Sequence, residues 1–154
     1  MEKPTLISLY SGCGGSALGF RDVGFKIIFM NDINEDACKS LRINFKNGNE
    51  EVVHEGDIRK KEVAEKIRRI GTATVIEGGF PCQGFSMAGP RKVDDKRNML
   101  YKHLKQAIKD TNPKFFVAEN VKGFVSIGEK PETVYNKKLQ KNVERSPGPF
   151  FKDG

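Results

Sequence analysis

The sequence predicts an α/β fold in which helices flank a parallel β-sheet. Short apolar runs alternate with amphipathic stretches along the first part of the chain, which is the pattern of strands joined by helical crossovers. A glycine-rich turn at residues 12–15 separates the first apolar run from the first amphipathic stretch. Acidic residues follow several of the apolar runs, where an open parallel sheet places its ligands.

Five apolar runs are the predicted strands, each short and rich in aliphatic residues. The third is the shortest and ends near Gly56 and Asp57. Because helical stretches separate the runs, we expect neighbouring strands to be parallel. The predicted strands cover residues 5–10, 26–31, 52–53, 73–77 and 114–118.

Four amphipathic stretches are the predicted helices. The second carries Ala37, Cys38 and Leu41 near one face, as in a helix that buries one side. Residues 131–143 are predicted to form a further, polar helix. A long loop with several glycines and two prolines covers residues 78–96, and such loops in compact domains are usually functional or disordered. The four helices are predicted at 16–23, 34–44, 60–70 and 98–110.

The composition argues against several classes of protein. Of the 154 residues, 37% are hydrophobic and 31% charged, and no apolar run approaches the ~20 residues of a membrane-spanning helix. The first residues lack the apolar stretch of a signal peptide, so we expect an intracellular, cytoplasmic protein that contacts no membrane. Three cysteines without a Cys-x-x-Cys pair argue against a disulfide framework and a structural metal site.

The charge balance suits a polyanionic partner. The chain has 27 basic and 20 acidic residues, a net charge of +7, and a basic surplus is typical of proteins that bind nucleic acid. The surplus is spread along the chain, with one local cluster that also fits a solvated loop and helix face. Its members are Arg91, Lys92, Lys96, Arg97, Lys102 and Lys105.

The glycine turn and two acidic residues point to an adenosine-containing ligand. The turn fits Gly-x-Gly-x-x-Ala and opens a helix, whose N-terminus offers N–H donors. Asp32 ends the second strand, where a carboxylate can accept both ribose hydroxyls. Asp57 ends the third strand, within reach of an adenine amine. Each signal is weak alone, and together they leave open a dinucleotide or S-adenosylmethionine.

The loop after the fourth strand contains a candidate nucleophile. Cys82 lies between Pro81 and Gln83 in a polar loop next to the basic cluster, and nearby cations lower a thiol pKa. Cys38 fits the commoner role of a small buried hydrophobe, and Cys13 reads as a turn residue. Cys82 is therefore the cysteine that we expect to react.

Glu119 is the candidate acid that accompanies Cys82. It directly follows the fifth strand, so it faces Cys82 across one cleft if the fourth and fifth strands are neighbours. A nucleophile beside a carboxylic acid is a workable catalytic pair. A loop cap or a salt-bridge partner is an equally good reading of Glu119 taken alone.

Taken together, these segments resemble the catalytic domain of DNA (cytosine-5)-methyltransferases. The resemblance covers about residues 5–125, and the order of Pro-Cys-Gln and Glu-Asn-Val after a glycine turn is its most specific feature. A segment at 95–100 also resembles the family's stretch after the cysteine loop. The matching segments are Leu9–Gly15, Asn31–Asp32, Gly56–Ile58, Gly79–Ser86 and Glu119–Val121.

The resemblance implies a Rossmann-like, S-adenosylmethionine-dependent methyltransferase sheet that is incomplete, with about five strands. Cys82 would attack carbon 6 of a cytosine flipped out of double-stranded DNA. Glu119 would hold the base edge and supply a proton or hydrogen bond at ring nitrogen 3. Carbon 5 would then take the methyl group, and loss of its proton would expel Cys82.

The resemblance also implies roles for further residues. Those expected at the cofactor S-adenosylmethionine are Tyr10, Gly12, Gly14, Gly15, Asp32, Ile33, Asp57, Ile58 and Phe80. Those expected at the DNA or in the loop around Cys82 are Gln83, Ser86, Arg97 and Asn120. The implied setting is a prokaryotic restriction-modification system.

The chain departs from the family in three single positions and in one long region. Ser8 stands where many members have Asp, Asp32 where Glu is common, and Ile33 where an aromatic residue often stacks on adenine. No Gln-x-Arg-x-Arg segment follows Glu-Asn-Val. We therefore expect a partial catalytic and cofactor-binding domain over residues 1–125 and a divergent polar tail over 126–154, without a target recognition region.

Several interpretations of this pattern remain open. The first is one half of a split enzyme whose second polypeptide carries the missing segments, and a truncated or frameshifted enzyme that is inactive alone is nearly as good. A tRNA cytosine-5 methyltransferase is a further alternative, although Gly84–Ser86 favours the DNA branch. A cofactor-binding interaction subunit is another. A nicotinamide-dependent oxidoreductase accounts for the glycine turn but not for Cys82 and Glu119.

Overall fold

A computed structural model of the chain describes residues 2–46, 51–81, 99–121, 132–136 and 141–145, the last two as backbone only. These residues belong to two compact units. The first contains the described residues up to Pro81 and the segment Leu100–Glu119. The second contains the described residues 99, 120–121, 132–136 and 141–145.

The first unit is built on a five-stranded parallel sheet, as the sequence predicts. The strand order is β3-β2-β1-β4-β5, and every neighbouring pair is parallel. The chain moves outward from β1 to β3 and then returns to the other side of β1 with β4. This reversal of direction places a topological switch between β1 and β4. The strands are β1 (Thr5–Leu9), β2 (Lys26–Asp32), β3 (Val53–Glu55), β4 (Val75–Gly78) and β5 (Phe115–Ala118).

Four helices connect the strands, at the positions that the amphipathic stretches predict. Asn34 caps the second helix, because its side-chain oxygen accepts a hydrogen bond from the Ala37 amide over 2.9 Å. The third helix buries Val63 and Ile67, one turn apart, and exposes its charged face. The helices are α1 (Gly15–Asp22), α2 (Glu35–Asn44), α3 (Lys61–Ile70) and α4 (Tyr101–Thr111).

The core lies around the two central strands. Leu6, Ile7 and Leu9 of β1 and Ile76 of β4 have no exposed surface, so these strands are covered on both faces, as expected in a parallel sheet. Strand β5 differs, because all four of its residues are exposed. The first unit is therefore packed most tightly around β1 and β4.

The second unit contains a hairpin where the sequence analysis expects a helix. Strands β6 (Glu132–Asn136) and β7 (Lys141–Arg145) pair antiparallel, with Val134 opposite Val143. The prediction of a polar helix over 131–143 is therefore wrong. Thr133, Val134 and Tyr135 favour a strand, but the many polar residues around them hide this preference, and pairing between strands is not a local signal.

Within the described parts of the chain, none of the helices has the length and apolar character that crossing a membrane requires.

Candidate active site

The candidate site lies at the carboxyl ends of β1 and β4, on either side of the topological switch. Parallel strands bring the segments that follow them to the same edge of a sheet. The glycine turn follows β1, and the segment Gly79–Pro81 follows β4. Glu119 follows β5, which is the direct neighbour of β4, so the predicted adjacency of the fourth and fifth strands is confirmed.

The turn after β1 has an unusual backbone. Tyr10, Gly12 and Gly14 have positive φ values of 55°, 53° and 88°, a region that glycine enters without strain. A Cβ atom at Gly14 would lie 2.5 Å from Phe45 Cε2 and 2.7 Å from Leu41 Cδ2. Gly14 is therefore required both by its conformation and by the close packing of α2 against the turn.

Asp32 ties the end of β2 to this turn. Its Oδ2 accepts a hydrogen bond from the Gly12 amide over 2.7 Å, and its Oδ1 accepts one from the Asn34 amide over 2.9 Å. A carboxylate offers about four lone-pair sites, so each oxygen retains a site for another donor. Asp32 can thus hold the turn and still accept hydroxyl groups of a ligand.

Asp57 is engaged by a neighbouring arginine. Arg59 Nε lies 2.9 Å from both carboxylate oxygens and Nη2 lies 2.6 Å from Oδ2. The Arg59 amide also donates to Oδ1 over 3.0 Å. These hydrogen bonds to the Arg59 side chain hold the pKa of Asp57 below its ordinary value. Asp57 can therefore accept an adenine amine only if the Arg59 side chain releases it.

Three aromatic rings pack beside the turn. The rings of Tyr10 and Phe80 lie edge to face at 6.5 Å, and those of Phe80 and Tyr101 lie 6.3 Å apart. The Tyr10 hydroxyl donates to the Leu100 carbonyl over 2.7 Å. Burial raises the pKa of Tyr10 well above its ordinary value, so its hydroxyl keeps its proton. Tyr10 and Phe80 thus link the turn, the segment after β4 and the start of α4.

The Glu119 carboxyl group lies against the segment that leads to Cys82. The Glu119 amide donates to the Gly78 carbonyl over 3.1 Å. A Cβ atom built at Gly79 would lie only 3.1 Å from Glu119 Oε2. A side chain at residue 79 would therefore crowd the Glu119 carboxyl group, and glycine avoids this. This function of Gly79 was not predicted, although the Gly-Gly pair at the end of a strand was a sequence signal for it.

The remaining predicted residues have varied positions. Ile33 is 64% exposed directly after Asp32. Ile58 is 6% exposed and lines a small cavity with side chains of α3 and α4. The Asn120 side chain accepts a hydrogen bond from the Val121 amide over 2.9 Å. Cys82, Gln83, Ser86 and Arg97 lie outside the described residues.

The other two cysteines have the surroundings that the sequence analysis expects. Cys38 has no exposed surface, and its Sγ donates to the Asp32 carbonyl over 3.5 Å. Burial is the main cause that raises the pKa of its thiol. Cys13 is exposed in the glycine turn. Cys38 is thus a buried residue held in its thiol form, as expected.

A buried carboxyl group that the sequence analysis did not single out lies beneath the turn. Glu77 is 5% exposed, and its Oε1 lies 2.6 Å from the Ser8 hydroxyl. Ser8 is fully buried. The signal for this pair is a polar residue in each of the two central strands, at positions that the sheet places side by side.

Comparison with known proteins gives a consistent result. The family model for C-5 cytosine-specific DNA methylase matches residues 5–142. The chain is 35% identical to the type II methyltransferase M.BsuRI of Bacillus subtilis over 83% of its length, and 39% identical to M.AquIA of Picosynechococcus sp. over 82%. A solved structure described as a DNA modification methyltransferase encoded within an E. coli prophage has 32% identity and a TM-score of 0.62 over 79% of the chain.

The matches cover only part of these proteins. The aligned part is 34% of M.BsuRI, 51% of M.AquIA and 33% of the prophage methyltransferase chain. The chain thus spans about a third of the length of most of the curated relatives it matches, and about half of M.AquIA.

Proposed function

Because the chain belongs to the C-5 cytosine-specific DNA methylase family, we propose that it supplies the cofactor and nucleophile half of a DNA (cytosine-5)-methyltransferase. The observation that carries this proposal is the position of the Glu119 carboxyl group against Gly79, three residues before Cys82. A carboxylic acid beside the segment that leads to a reactive thiol, at the carboxyl ends of parallel strands, is an arrangement that suits this chemistry.

The proposed cofactor is S-adenosylmethionine. Asp32 would accept ribose hydroxyls with the lone pairs that the amides leave available. The glycine turn would let the ligand approach the backbone closely, because Gly12, Gly14 and Gly15 have no side chains. No side chain caps the N-terminus of α1, so its amides can face the ligand. Tyr10 and Phe80 would pack along it, with Ile33 and Ile58 nearby, and Asp57 would accept the adenine amine.

The proposed reaction uses Cys82 as a covalent catalyst. The thiolate adds to carbon 6 of cytosine, which makes carbon 5 nucleophilic, and Glu119 donates a proton or a hydrogen bond at nitrogen 3. Carbon 5 then takes the methyl group that bound S-adenosylmethionine would supply, and S-adenosylhomocysteine leaves. A base removes the proton from carbon 5, and the electron pair of that bond expels the thiolate. Gln83, Ser86 and Arg97 would contact the DNA, and Asn120 would brace the loop around Cys82.

A second polypeptide is the proposed partner of this half. Strand β5 pairs with β4 on one side, and Phe115, Phe116 and Val117 are 67%, 46% and 45% exposed. Successive residues of a strand point to opposite faces, so both faces of β5 are apolar, as in a strand buried inside a sheet. We propose that the partner adds a strand beside β5, covers these side chains and carries the target recognition region.

Cofactor binding tests the proposed function directly. Calorimetric titration of the purified chain is expected to show saturable binding of S-adenosylmethionine and none of a nicotinamide dinucleotide. Asp32→Asn should weaken binding about tenfold or more. The side-chain NH2 group of asparagine would face the backbone N–H of either Gly12 or Asn34, and two hydrogen-bond donors repel each other. The control is Asp36→Asn, in the exposed first turn of α2. Saturable binding of the nicotinamide alone contradicts the proposal.

Removing Arg59 is expected to tighten cofactor binding. Arg59→Ala frees the lone pairs of Asp57, which remains ionised at neutral pH because its ordinary pKa is 3.8. One hydrogen bond regained by the adenine amine is worth about 1 kcal/mol, or roughly fivefold in the dissociation constant. The measurement is a pair of calorimetric titrations, one with S-adenosylmethionine and one with S-adenosylhomocysteine, whose sulfur is uncharged. A gain with both ligands reports the hydrogen bond to Asp57, whereas a gain with S-adenosylmethionine alone reports only the loss of the positive charge of Arg59.

The chain contains a matched control for this variant. Arg68 bonds Asp110 over 3.2 Å, and the side-chain exposures of that pair, 58% and 15%, are close to the 51% and 18% of Arg59 and Asp57. Arg68→Ala should leave affinity for both ligands unchanged. Weaker binding by Arg59→Ala, or equal gains in the two variants, would show that Asp57 does not receive the adenine.

A further inference from the structure

The Glu77 carboxyl group begins a chain of short polar contacts beneath the glycine turn. Its Oε1 lies 2.6 Å from Ser8 Oγ, and Ser8 Oγ lies 2.8 Å from Ser11 Oγ. Ser11 Oγ lies 3.0 Å from the Ser8 carbonyl, to which it donates. A second hydroxyl group, that of Ser16, also bonds Glu77. One buried carboxyl group therefore connects three serine side chains.

These serines lie on both sides of the glycine turn. Ser11 opens it, and its carbonyl accepts the Gly14 amide over 2.9 Å. Ser16 lies in the first turn of α1, directly beyond it. Ser8 is the register partner of Glu77 between β1 and β4. Glu77 thus links the two central strands to both ends of the glycine turn.

We propose that Glu77 is a positioning residue, which holds the glycine turn in its cofactor-binding shape through Ser8, Ser11 and Ser16. The inference rests on the proposed function, since the shape matters for catalysis only if the turn binds S-adenosylmethionine. Glu77 does not touch the cofactor in this arrangement. It acts through the backbone that the cofactor approaches.

Glu77 accepts a hydrogen bond from the Ser8 hydroxyl, which donates to its Oε1, and the Ser11 hydroxyl donates to the Ser8 carbonyl. Burial is the largest influence on the pKa of Glu77 and raises it, while the hydrogen bonds with Ser8 and Ser16 act to lower it. Two serine hydroxyls therefore hold this buried carboxyl group in place.

Two substitutions separate this function from simple packing. Glu77→Gln keeps hydrogen bonds with both serines, because its amide oxygen can accept from one hydroxyl and its NH2 group can donate to the other. Glu77→Met keeps a similar volume but loses every hydrogen bond. We expect the affinity for S-adenosylmethionine, measured by calorimetry, to stay within about threefold of the wild type in Glu77→Gln. In Glu77→Met it should fall about tenfold or more.

A control variant accounts for general loss of stability. Thr111 is 1% exposed, and its hydroxyl donates to the Ala107 carbonyl within α4 over 2.8 Å. Thr111→Val should lower the melting temperature and leave cofactor affinity unchanged. If Glu77→Met does not fold, Ser16→Ala, at an exposed position, removes one direct contact and should weaken binding about threefold.

Backbone amide chemical shifts of Gly12 and Gly14 test the inference without a ligand. They should move in Glu77→Met and stay in place in Glu77→Gln and Thr111→Val. A wild-type chain that binds no S-adenosylmethionine contradicts the proposed function but leaves this test intact. Wild-type affinity and unmoved amides in Glu77→Met, or equal losses in Glu77→Gln and Glu77→Met, would overturn the positioning function.

Discussion

Cys82→Ala is expected to abolish methyl transfer in the enzyme assembled with its partner. Without the thiolate, carbon 6 of cytosine receives no nucleophile and carbon 5 stays too weak a nucleophile to take the methyl group. Removal of a covalent nucleophile costs about 10⁴-fold or more in turnover. The measurement is the transfer of tritiated methyl groups to DNA, with calorimetry to confirm that cofactor affinity is almost unchanged.

The other two cysteines are the controls. Cys13→Ala alters an exposed residue and should have no effect on turnover. Cys38→Ala alters a fully buried thiol and should lower stability by about 1 kcal/mol while keeping activity. Retained turnover in Cys82→Ala, or loss of turnover in Cys38→Ala at a temperature where that variant is folded, contradicts the assignment of the nucleophile.

A covalent adduct provides a second readout. DNA that carries 5-fluorocytosine has no proton at carbon 5, so the electron pair that should expel Cys82 is not released. The wild-type enzyme is expected to remain bound to such DNA through Cys82, and Cys82→Ala is not. Mass spectrometry of the peptide that contains residue 82 identifies the attached sulfur.

The fold was predictable because its signals are local. The strands of the first unit are separated by helices whose charged and apolar faces repeat every three or four residues, as α3 shows with Val63 and Ile67. Their parallel arrangement follows from those crossovers. The hairpin Glu132–Arg145 was not predictable in this way, since its pairing joins two polar segments with no common period.

The site was only partly predictable, for a related reason. Glycine spacing and the positions of Asp32 and Glu119 after strands are visible in the sequence. The contact of Glu119 with Gly79 and the pairing of Asp57 with Arg59 depend on side-chain geometry. Glu77 was missed because a carboxyl group within an apolar run reads as part of a strand. Only the register with Ser8 shows that it has a partner.

The last expectation is that the 154-residue chain does not methylate DNA at a useful rate by itself. Flipping a base costs a few kcal/mol, which contacts on both sides of the duplex normally offset. The chain spans 34% of M.BsuRI. Without a target recognition region, we expect its basic residues to contact phosphates, which position DNA but carry no sequence information. It should therefore bind DNA weakly, without sequence preference and with a strong dependence on salt.

Tritiated methyl transfer to mixed-sequence DNA, with and without a candidate partner, measures this directly. The partner is expected to raise transfer from background by several orders of magnitude. Phe115→Lys, at a 67% exposed position on β5, should prevent that gain because burying an unpaired charge beneath the partner is costly. Ile43→Lys, at a 73% exposed position on α2, is the matched control and should retain it. Sequence-specific methylation by the chain alone would show that β5 needs no second polypeptide.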